Sequence, residues 1–325
     1  MATPMLNFES VTKRYGNRKA VDGLSFSVPA ESVVGLLGPN GAGKSTAMKM
    51  VLGLAQATSG EINLFGCTPG SSGFADAVRR TGSHIETPAL YERASARQNL
   101  EIHGAAFGIG RRDPRIAATL ETVGLSDRSG DKVKNFSLGM RQRMSLATAI
   151  LHEPELVILD EPTNGLDPSG VVEIREVIRS LPDRGMTALV SSHVLGEIEK
   201  TVDHVVIIRN GQLVKEGSID SLTEGDDETL LVRMPEGQSQ LGCDALNAVG
   251  YTAAVGSDGV LRVNPHGRPG SSIAHTLAQA NLYPDELRSE RGRSLESVFL
   301  ELTDSPEEAP EPGQRASGET QGTGV

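Results

Sequence analysis

Cysteine and long apolar runs are scarce in this sequence. The two cysteines of the 325-residue chain, Cys67 and Cys243, lie far apart, and neither has a second cysteine or a histidine at ligand spacing. This excludes a disulfide framework and a zinc site, so both are expected to be buried small side chains. No window approaches the ~18 uninterrupted apolar residues of a membrane span. Met1–Ser10 lacks the basic and apolar regions of a signal peptide, so we expect a cytosolic protein.

An excess of positive charge is also missing. The formal net charge is −11 and the isoelectric point is near 5.2. Sequence-independent binding of nucleic acid needs a basic face that displaces counterions, so we expect no nucleic-acid partner. The net charge does not exclude local basic patches. The chain is 38% hydrophobic and 22% charged, a balance typical of a globular protein. Its length suffices for two domains and a tail.

A glycine-rich segment, Gly38–Thr46, carries the most specific motif, because it matches G-x-x-x-x-G-K-[ST] in full. It follows the apolar run Ser32–Leu37 and opens a helical pattern that extends to Leu54. Strand, loop and helix in this order favour a phosphate cradle over a simple glycine-rich turn. Lys44 is expected to reach the β- and γ-phosphates, and the Ser45 hydroxyl is placed to bind Mg²⁺. The residues expected to contact a nucleotide here are Gly38, Pro39, Asn40, Gly41, Ala42, Gly43, Lys44, Ser45 and Thr46.

Polar residues follow two apolar runs further along the chain. Leu156–Glu161 is an apolar run that ends in Asp160 and Glu161, and Thr187–Ser192 is followed by His193. Parallel strands open on a ligand crevice at their carboxyl ends, so the two acids suit a metal contact and a water-positioning base. A lone histidine is more often structural, but one that follows a core strand in a chain with a phosphate loop points to function.

Helical patterns fill the region between these strands. A strand is predicted to end at Glu86, and helices with Ser95 and Asp113 as N-caps predict a helical insertion over about residues 87–150. Tyr15, in a polar loop near the start of the chain, could stack on a base, although alone it is typical of an ordinary half-exposed aromatic residue. A serine and a glycine just before the apolar helix Leu146–Leu151 suit an anion site, although a simple N-cap is the commoner explanation.

The last third of the chain has a different composition. An acidic linker at 223–228 precedes residues 229–303, whose pattern predicts a small α+β domain with the order β-α-β-β-α-β, the ferredoxin-like arrangement. An amphipathic helix over Ser294–Leu302 is expected to close this domain. Residues 304–325 are rich in Pro, Glu, Gly and Ser, so we expect a disordered tail.

In combination these motifs resemble the nucleotide-binding domain of an ABC transporter, over about residues 4–218. The segments that carry the resemblance are Tyr15, the phosphate loop, Ser137–Met140, Leu156–Glu161, Gly165–Pro168 and His193. The resemblance implies an α/β fold, a P-loop NTPase ABC cassette with a helical subdomain, for residues 1–222. It also implies that the protein binds ATP with Mg²⁺ and hydrolyses it.

Roles at the nucleotide follow from the resemblance residue by residue. It implies that Tyr15 stacks on adenine and that Asp160 helps to hold Mg²⁺. It implies that Glu161 polarises the attacking water and that His193 contacts the γ-phosphate. Together with Lys44, the last two form the implied catalytic set. Transfer of a phosphoryl group relies on charge stabilisation from all around, which a phosphate loop alone does not supply.

Other implied roles concern a second copy of the chain. Ser137 and Gly139 would close over ATP bound to the opposite subunit, and Asp167 would lie in the loop that links the two sites. Two positions depart from the common family pattern: Glu86 stands where glutamine is usual, and Met140 ends a segment that usually reads Leu-Ser-Gly-Gly-Gln. A carboxylate at Glu86 can still bind Mg²⁺ but adds negative charge near the phosphates.

Both departures resemble a bacterial branch that includes the bacitracin-type and lantibiotic-immunity exporters. We therefore expect an ATPase subunit that works as two copies with a separate membrane permease, on the inner face of the cell membrane, in drug or peptide-antibiotic efflux or self-protection. The alternative is an ABC-superfamily ATPase without a permease, acting on DNA or in translation. The sequence has no inserted coiled coil, zinc hook or second cassette that such proteins would carry. The permease would select the transported substrate.

Overall fold

The computed structural model describes residues 4–85, 90–223, 229–256, 258–290 and 295. In this part of the chain the strands are β1 Leu6–Tyr15, β2 Arg18–Val28, β3 Val33–Leu37, β4 Ser59–Leu64, β5 Thr81–His84, β6 Leu156–Leu159, β7 Thr187–Ser192, β8 His204–Arg209, β9 Gln212–Ser218, β10 Thr229–Arg233, β11 Thr252–Val255, β12 Leu261–Asn264 and β13 Glu286–Glu290. The α-helices are α1 Lys44–Val51, α2 Phe74–Arg79, α3 Ala96–Ala105, α4 Pro114–Thr122, α5 Leu138–Ile150, α6 Pro168–Arg179, α7 Leu195–Ile198, α8 Ile219–Thr223, α9 Ser239–Ala248 and α10 Gly270–Gln279. Single 3₁₀ turns lie at Ser126–Arg128, Val133–Asn135 and Pro182–Arg184.

A six-stranded sheet in the order β5-β6-β7-β3-β8-β9 forms the frame of the first two thirds of the chain. Its first five strands are parallel, and only β9 runs antiparallel to its neighbour. Every residue of β3, β6 and β7 is buried. Alternate side chains enter different apolar clusters, with Leu37 and Leu159 in one and Leu36 and Ile158 in the other. Burial on both faces explains why the sequence shows continuous apolar runs here.

A three-stranded antiparallel sheet, β2-β1-β4, lies beside this frame. The rings of Phe8 and Phe26 stack across β1 and β2 with their centroids 4.5 Å apart. The two strands extend to a tight hairpin in which Tyr15 pairs with Arg18. The sequence prediction of a polar loop around Tyr15 is therefore wrong. The charged residues of this hairpin hide the alternation of apolar and polar residues that predicts a strand. Gly16 and Asn17 nevertheless form a two-residue turn, which is a recognisable hairpin signal.

Three helices, α3 to α5, form the predicted helical insertion. Ser95 caps α3 through reciprocal bonds with Gln98, and Asp113 caps α4, both as the sequence predicts. Helix α5 differs, because it begins at Leu138 instead of near Leu146. Its first two turns carry polar and partly exposed residues, so the apolar pattern reveals only the buried second half.

The elements from Thr229 to Glu290 follow the order β-α-β-β-α-β that the sequence predicts. Their strands form an antiparallel sheet in the spatial order β11-β12-β10-β13, over a separate apolar cluster that contains Leu230, Leu246 and Leu277. Most of the predicted acidic linker, the helix at 294–302 and the tail at 304–325 lie outside the described residues. Leu295 is described, and its side chain is buried in the apolar cluster of the six-stranded sheet, not in that of the antiparallel sheet.

The structure describes both cysteines and the length of each helix in the described ranges. Cys67 and Cys243 are both free, and Cys243 is buried as expected, whereas Cys67 is only half-buried. In the described ranges, no helix combines the length and the apolar character that crossing a bilayer requires.

Candidate nucleotide-binding site

The phosphate loop joins β3 to α1 and allows backbone contacts that a side chain would prevent. Gly43 has φ +108°, and a Cβ at this position would lie 2.4 Å from the carbonyl oxygen of Ala20. A Cβ on Gly38 would lie 2.3 Å from the carbonyl oxygen of Ile208. The loop therefore packs against β2 and β8 through bare backbone, which fixes its position at the end of β3.

Lys44 begins α1 and points back into the loop. Its side chain is 6% exposed, and its Nζ donates to the carbonyl oxygens of Gly38 at 2.7 Å and Pro39 at 3.3 Å. The same nitrogen lies 3.1 Å from Oε1 of Glu161. A buried ammonium group is thus held at the centre of the loop by carbonyl and carboxylate oxygens, the kind of partner that phosphate oxygens can replace.

The two acids predicted at the end of β6 are held by the neighbouring strands. The backbone N–H of Asp160 donates to the carbonyl oxygen of His84 at 2.9 Å. The hydroxyl of Ser191, on β7, donates to Oδ1 of Asp160 at 2.6 Å and accepts from the N–H of Glu161 at 2.8 Å. Sequence reasoning missed Ser191, although a buried hydroxyl at the end of a core strand beside two acids was a usable signal. Glu161 has φ +50°, a left-handed conformation that is strained for a residue with a Cβ.

Glu161 also contacts the predicted histidine. Its Oε2 lies 2.5 Å from Nδ1 of His193. A carboxylate can only accept here, so Nδ1 carries the proton. One carboxylate therefore bridges the lysine of the phosphate loop and the histidine that follows β7. The structure brings Lys44, Glu161 and His193 together as the sequence predicts.

His84 is buried at the end of β5, the strand next to β6 and its two acids. Its ring contacts Ser145, with 2.7 Å between Nδ1 and Oγ. Burial lowers the pKa of His84 below its ordinary range, against the opposing effects of the Gln142 side chain and the charge of Asp160. Because burial disfavours the imidazolium form, the ring adds no positive charge beside Asp160 at neutral pH.

A cleft of about 530 Å³ lies in front of this cluster. The exposed ring of Tyr15 stands at its mouth, at the tip of the β1–β2 hairpin. The residues that line the cleft are Tyr15, Arg18, Ala20, Asn40, Gly41, Ala42, Gly43, Lys44, Ser45, Thr46, Glu161 and Asn164. Arg18, Ala20 and Asn164 are not predicted from the sequence, Arg18 and Ala20 because they belong to the part of the hairpin for which the sequence predicts a loop. The volume and the elongated set of polar donors suit a small organic phosphate.

The segments predicted to act across a dimer do not line this cleft. The Ser137 hydroxyl caps α5 by accepting from the N–H of Met140 at 3.2 Å. Asp167 caps α6 by accepting from the N–H of Gly170 at 3.1 Å. The two helix starts meet through Leu138 of one and Gly165 just before the other, since a Cβ on Gly165 would lie 3.3 Å from the Leu138 side chain. Gly139, in the first turn of α5, is partly exposed.

The predicted magnesium ligands are Ser45, Glu86 and Asp160. Ser45 lines the cleft, and the Asp160 carboxylate is 8% exposed with its Oδ1 oriented by Ser191. Glu86 lies outside the described residues. In the described ranges, no cluster of three or more His, Cys, Asp or Glu side chains could hold a metal by itself. Oxygen donors in this small number fit Mg²⁺, which usually takes one or two protein ligands and completes its shell with phosphate and water.

Known proteins resemble this chain across the region that contains the cleft. A family model described as "ABC transporter" matches residues 21–164. The bacitracin transport ATP-binding protein BcrA of Bacillus licheniformis is 42% identical over 79% of this chain and 83% of its own length. An uncharacterized ABC transporter ATP-binding protein of Bacillus subtilis, YhcH, is 36% identical over 94% of this chain and 97% of its own length.

A third relative is the lantibiotic transport ATP-binding protein SrtF of Streptococcus pyogenes, 41% identical over 66% of this chain and 92% of its own length. Among solved structures, an ATP-binding subunit of an ABC transporter superposes with a TM-score of 0.60 at 30% identity, over 67% of this chain and 91% of the other. A dimeric ATP-binding cassette in a post-hydrolysis state with ADP and Pi shares the fold, with a TM-score of 0.59 at 22% identity over 66% of this chain and 99% of the other.

Proposed function

This chain belongs to the ATP-binding subunits of ABC transporters, which are cassette ATPases, and on that premise we propose that it drives drug or peptide-antibiotic export through a separate membrane permease. The observation that carries the proposal is the Glu161 carboxylate, placed between Lys44 of the phosphate loop and His193. The names of the relatives support antibiotics as the substrate class, since they describe transport of bacitracin and lantibiotics. They give no support to the alternative of a permease-free ATPase acting on DNA or in translation. Through the permease, the protein would work at the inner face of the cell membrane.

Binding of ATP exchanges the partners of Lys44. Its Nζ is now held by Gly38 and Pro39 carbonyls and by Glu161, and phosphate oxygens offer the same ammonium a more highly charged partner. Tyr15 stacks on the adenine at the mouth of the cleft, while the N–H groups of residues 40–46 surround the phosphates. The exchange frees one oxygen of Glu161 while the other stays on His193.

Glu161 then orients the attacking water and accepts its proton as the water oxygen bonds to the γ-phosphorus and the bond from that phosphorus to the β–γ bridging oxygen breaks, so that ADP is the leaving group. His193 holds the carboxylate through Nδ1, which leaves Nε2 to face the γ-phosphate. Ser191 fixes the backbone N–H of Glu161, so the strained turn at this residue is supported from β7. Water positioning depends on this rigid support, because small displacements of a catalytic base cost much of its effect.

Mg²⁺ is the proposed metal, held by Ser45, Asp160 and Glu86. When bound, it neutralises charge that develops on the β- and γ-phosphate oxygens. Asp160 suits this role because its buried carboxylate is already oriented by Ser191. Changing Glu86 to glutamine removes a formal charge from this set, so Glu86→Gln should raise the Mg²⁺ concentration that gives half-maximal ATPase activity and change the maximal rate little. A magnesium titration at fixed ATP measures this, and identical midpoints would remove Glu86 from the metal site.

A second copy of the chain is proposed to complete the site. Ser137, Gly139 and Asp167 lie at two adjoining helix starts outside the cleft of their own subunit, and the N-terminus of a helix suits a phosphate presented by a partner. Glu161→Gln should therefore bind ATP, hydrolyse it at least 100-fold more slowly, an order-of-magnitude expectation for loss of a general base, and accumulate as a closed dimer.

Size-exclusion chromatography with light scattering, with and without ATP and Mg²⁺, tests this proposal. Glu121→Gln, which changes an exposed acid on α4, is the matched control and should hydrolyse ATP like the unmodified chain. A Glu161→Gln protein that hydrolyses ATP at the normal rate would refute the role of this carboxylate. One that binds ATP but stays monomeric in saturating nucleotide would refute completion by a second copy.

A further inference from the structure

Arg18 is the second cationic side chain of the cleft, and no motif points to it. It follows Tyr15 across the two-residue turn of the β1–β2 hairpin and pairs with it through the backbone. Both residues line the cleft. If a Cβ were present on Gly41, in the phosphate loop, its one neighbour within 4 Å would be an Nη atom of Arg18, at 3.5 Å. The guanidinium group therefore lies directly over the middle of the phosphate loop.

The Arg18 side chain has no partner of its own in the described ranges. Neighbouring cations on the hairpin are occupied: Lys13 donates to the carbonyl oxygen of Gln56 at 2.6 Å, and Lys19 pairs with Asp22 at 2.8 Å. For Arg18, no hydrogen bond or ion pair of the guanidinium group occurs among the residues that the structure describes. Its five N–H donors are thus open toward the cleft.

The charges of the cleft show what this guanidinium does. Two cations and one acid, Glu161, lie among the lining residues. Glu161 is in contact with Lys44, so the two charges largely offset each other in the described arrangement. The charge that attracts a polyanion before any rearrangement is then that of Arg18.

We propose that Arg18 binds the phosphate chain of the nucleotide together with Lys44, so that the two cations clamp it at the phosphate loop. A planar guanidinium can donate two parallel hydrogen bonds to one phosphate, which an ammonium group cannot do. This inference rests on the proposed nucleotide site. Arg18 would make the binding affinity depend on the number of phosphates that the ligand carries, whereas Tyr15 contacts the base.

The test compares binding of adenosine, AMP, ADP and ATP to the full chain by isothermal titration calorimetry. Arg18→Ala should weaken ATP binding about tenfold, the low end for a charge-assisted hydrogen bond at an exposed group. The loss of affinity should shrink from ATP through ADP and AMP and vanish for adenosine. Arg18→Lys should recover part of the affinity by restoring the charge without the bidentate geometry. Arg14→Ala, which removes an exposed arginine of the same hairpin outside the cleft lining, is the matched control and should bind like the unmodified chain.

Several outcomes would overturn the inference. Equal ATP affinity for Arg18→Ala and the unmodified chain, while Lys44→Ala loses binding, would refute the clamp and leave the proposed function intact. A loss of the same size for adenosine as for ATP would show that Arg18 supports the base, not the phosphates. An unmodified chain that binds no ATP would refute the proposed function and this inference with it. Should Arg18→Ala misfold by circular dichroism, Arg18→Gln, which keeps a polar side chain without the charge, serves in its place with the same expected loss.

Discussion

The six-stranded sheet and the antiparallel sheet of residues 229–290 differ in strand direction, and that difference decides where chemistry is possible. In the six-stranded sheet, β6, β7 and β3 are parallel neighbours, so the residues after each strand meet at one edge. Glu161, His193 and Lys44 come from those three connections and lie in contact. In the antiparallel sheet of residues 229–290, neighbouring strands end at opposite edges. Polar residues after its strands are therefore dispersed between two edges.

Core construction differs in the same way. The parallel sheet is covered on both faces, by the two large apolar clusters, while the antiparallel sheet packs one face against α9 and α10. Strand β11 shows the consequence, because Ala253 is its one buried residue. A site that must exclude water and hold a strained turn needs the first kind of support. The antiparallel region is better suited to forming an interaction surface than to holding a catalytic site.

Glycines give the sharpest test of this comparison. Gly43 in the phosphate loop and Gly259 in the antiparallel region both have positive φ, +108° and +76°. A Cβ on Gly43 would meet the backbone of Ala20 at 2.4 Å, whereas a Cβ on Gly259 would have nothing within 4 Å. We expect Gly43→Ala to lower the free energy of unfolding by about 3 kcal/mol or more and to abolish ATP binding. Gly259→Ala should cost about 1–2 kcal/mol, the strain of the backbone alone, and leave binding unchanged.

Denaturant unfolding and calorimetric titration with ATP measure both effects. Similar stability losses for the two variants would contradict the claim that close backbone approach dominates at the phosphate loop.

Leu295 tests whether the two regions are independent. It follows the antiparallel sheet in the chain, yet its side chain is fully buried in the cluster of the parallel sheet, and its N–H donates to Glu199 at 3.3 Å. Leu295→Ala should lower the stability of the ATP-binding region by about 2–4 kcal/mol, as for other buried leucines. Leu241→Ala, an exposed leucine on α9, should change it by less than about 0.5 kcal/mol.

Thermal unfolding followed in the presence and absence of ATP separates the two regions, because nucleotide stabilises only the one that binds it. If Leu295→Ala left the ATP-sensitive transition unchanged, the C-terminal segment would not support the ATP-binding region.

The smallest expected effect is a pH dependence located in the ATP-binding region. The ring of His152 stacks on Phe107 with centroids 3.9 Å apart, and burial lowers the pKa of this histidine below its ordinary range. The unfolded chain therefore takes up the proton at higher pH than the folded one, so stability is full above the ordinary histidine pKa of about 6.5 and falls as the pH drops below it. His152→Phe should keep the stacked pair and flatten this decline. Unfolding free energies of both proteins measured across about pH 5–8 test this effect. An equally steep decline with falling pH in the variant would show that the proton is taken up at another group.

Much of the fold could be read from the sequence where apolar patterns were long or turns were marked. β3, β7 and the Asn210–Gly211 hairpin turn, with φ of +51° and +81°, lie where the patterns place them. Errors occurred where exposed residues obscure periodicity. For residues 12–23 of the β1–β2 hairpin the sequence predicts a loop, because most of these residues are polar or charged, and the partly exposed first turns of α5 are not predicted for the same reason. For that reason Arg18 is not predicted as a site residue from the sequence.

The sequence by itself determined the chemistry that this protein can carry. Spacing alone identified Lys44, Asp160, Glu161 and His193, because a phosphate loop and polar residues after buried strands are local patterns. Only the tertiary structure decided how they are connected: that Glu161 bridges Lys44 and His193, that Ser191 supports the acids, and that Arg18 overlies the phosphate loop. Those contacts depend on strand order and on hairpin position, and both are set by long-range packing that no short window of residues encodes.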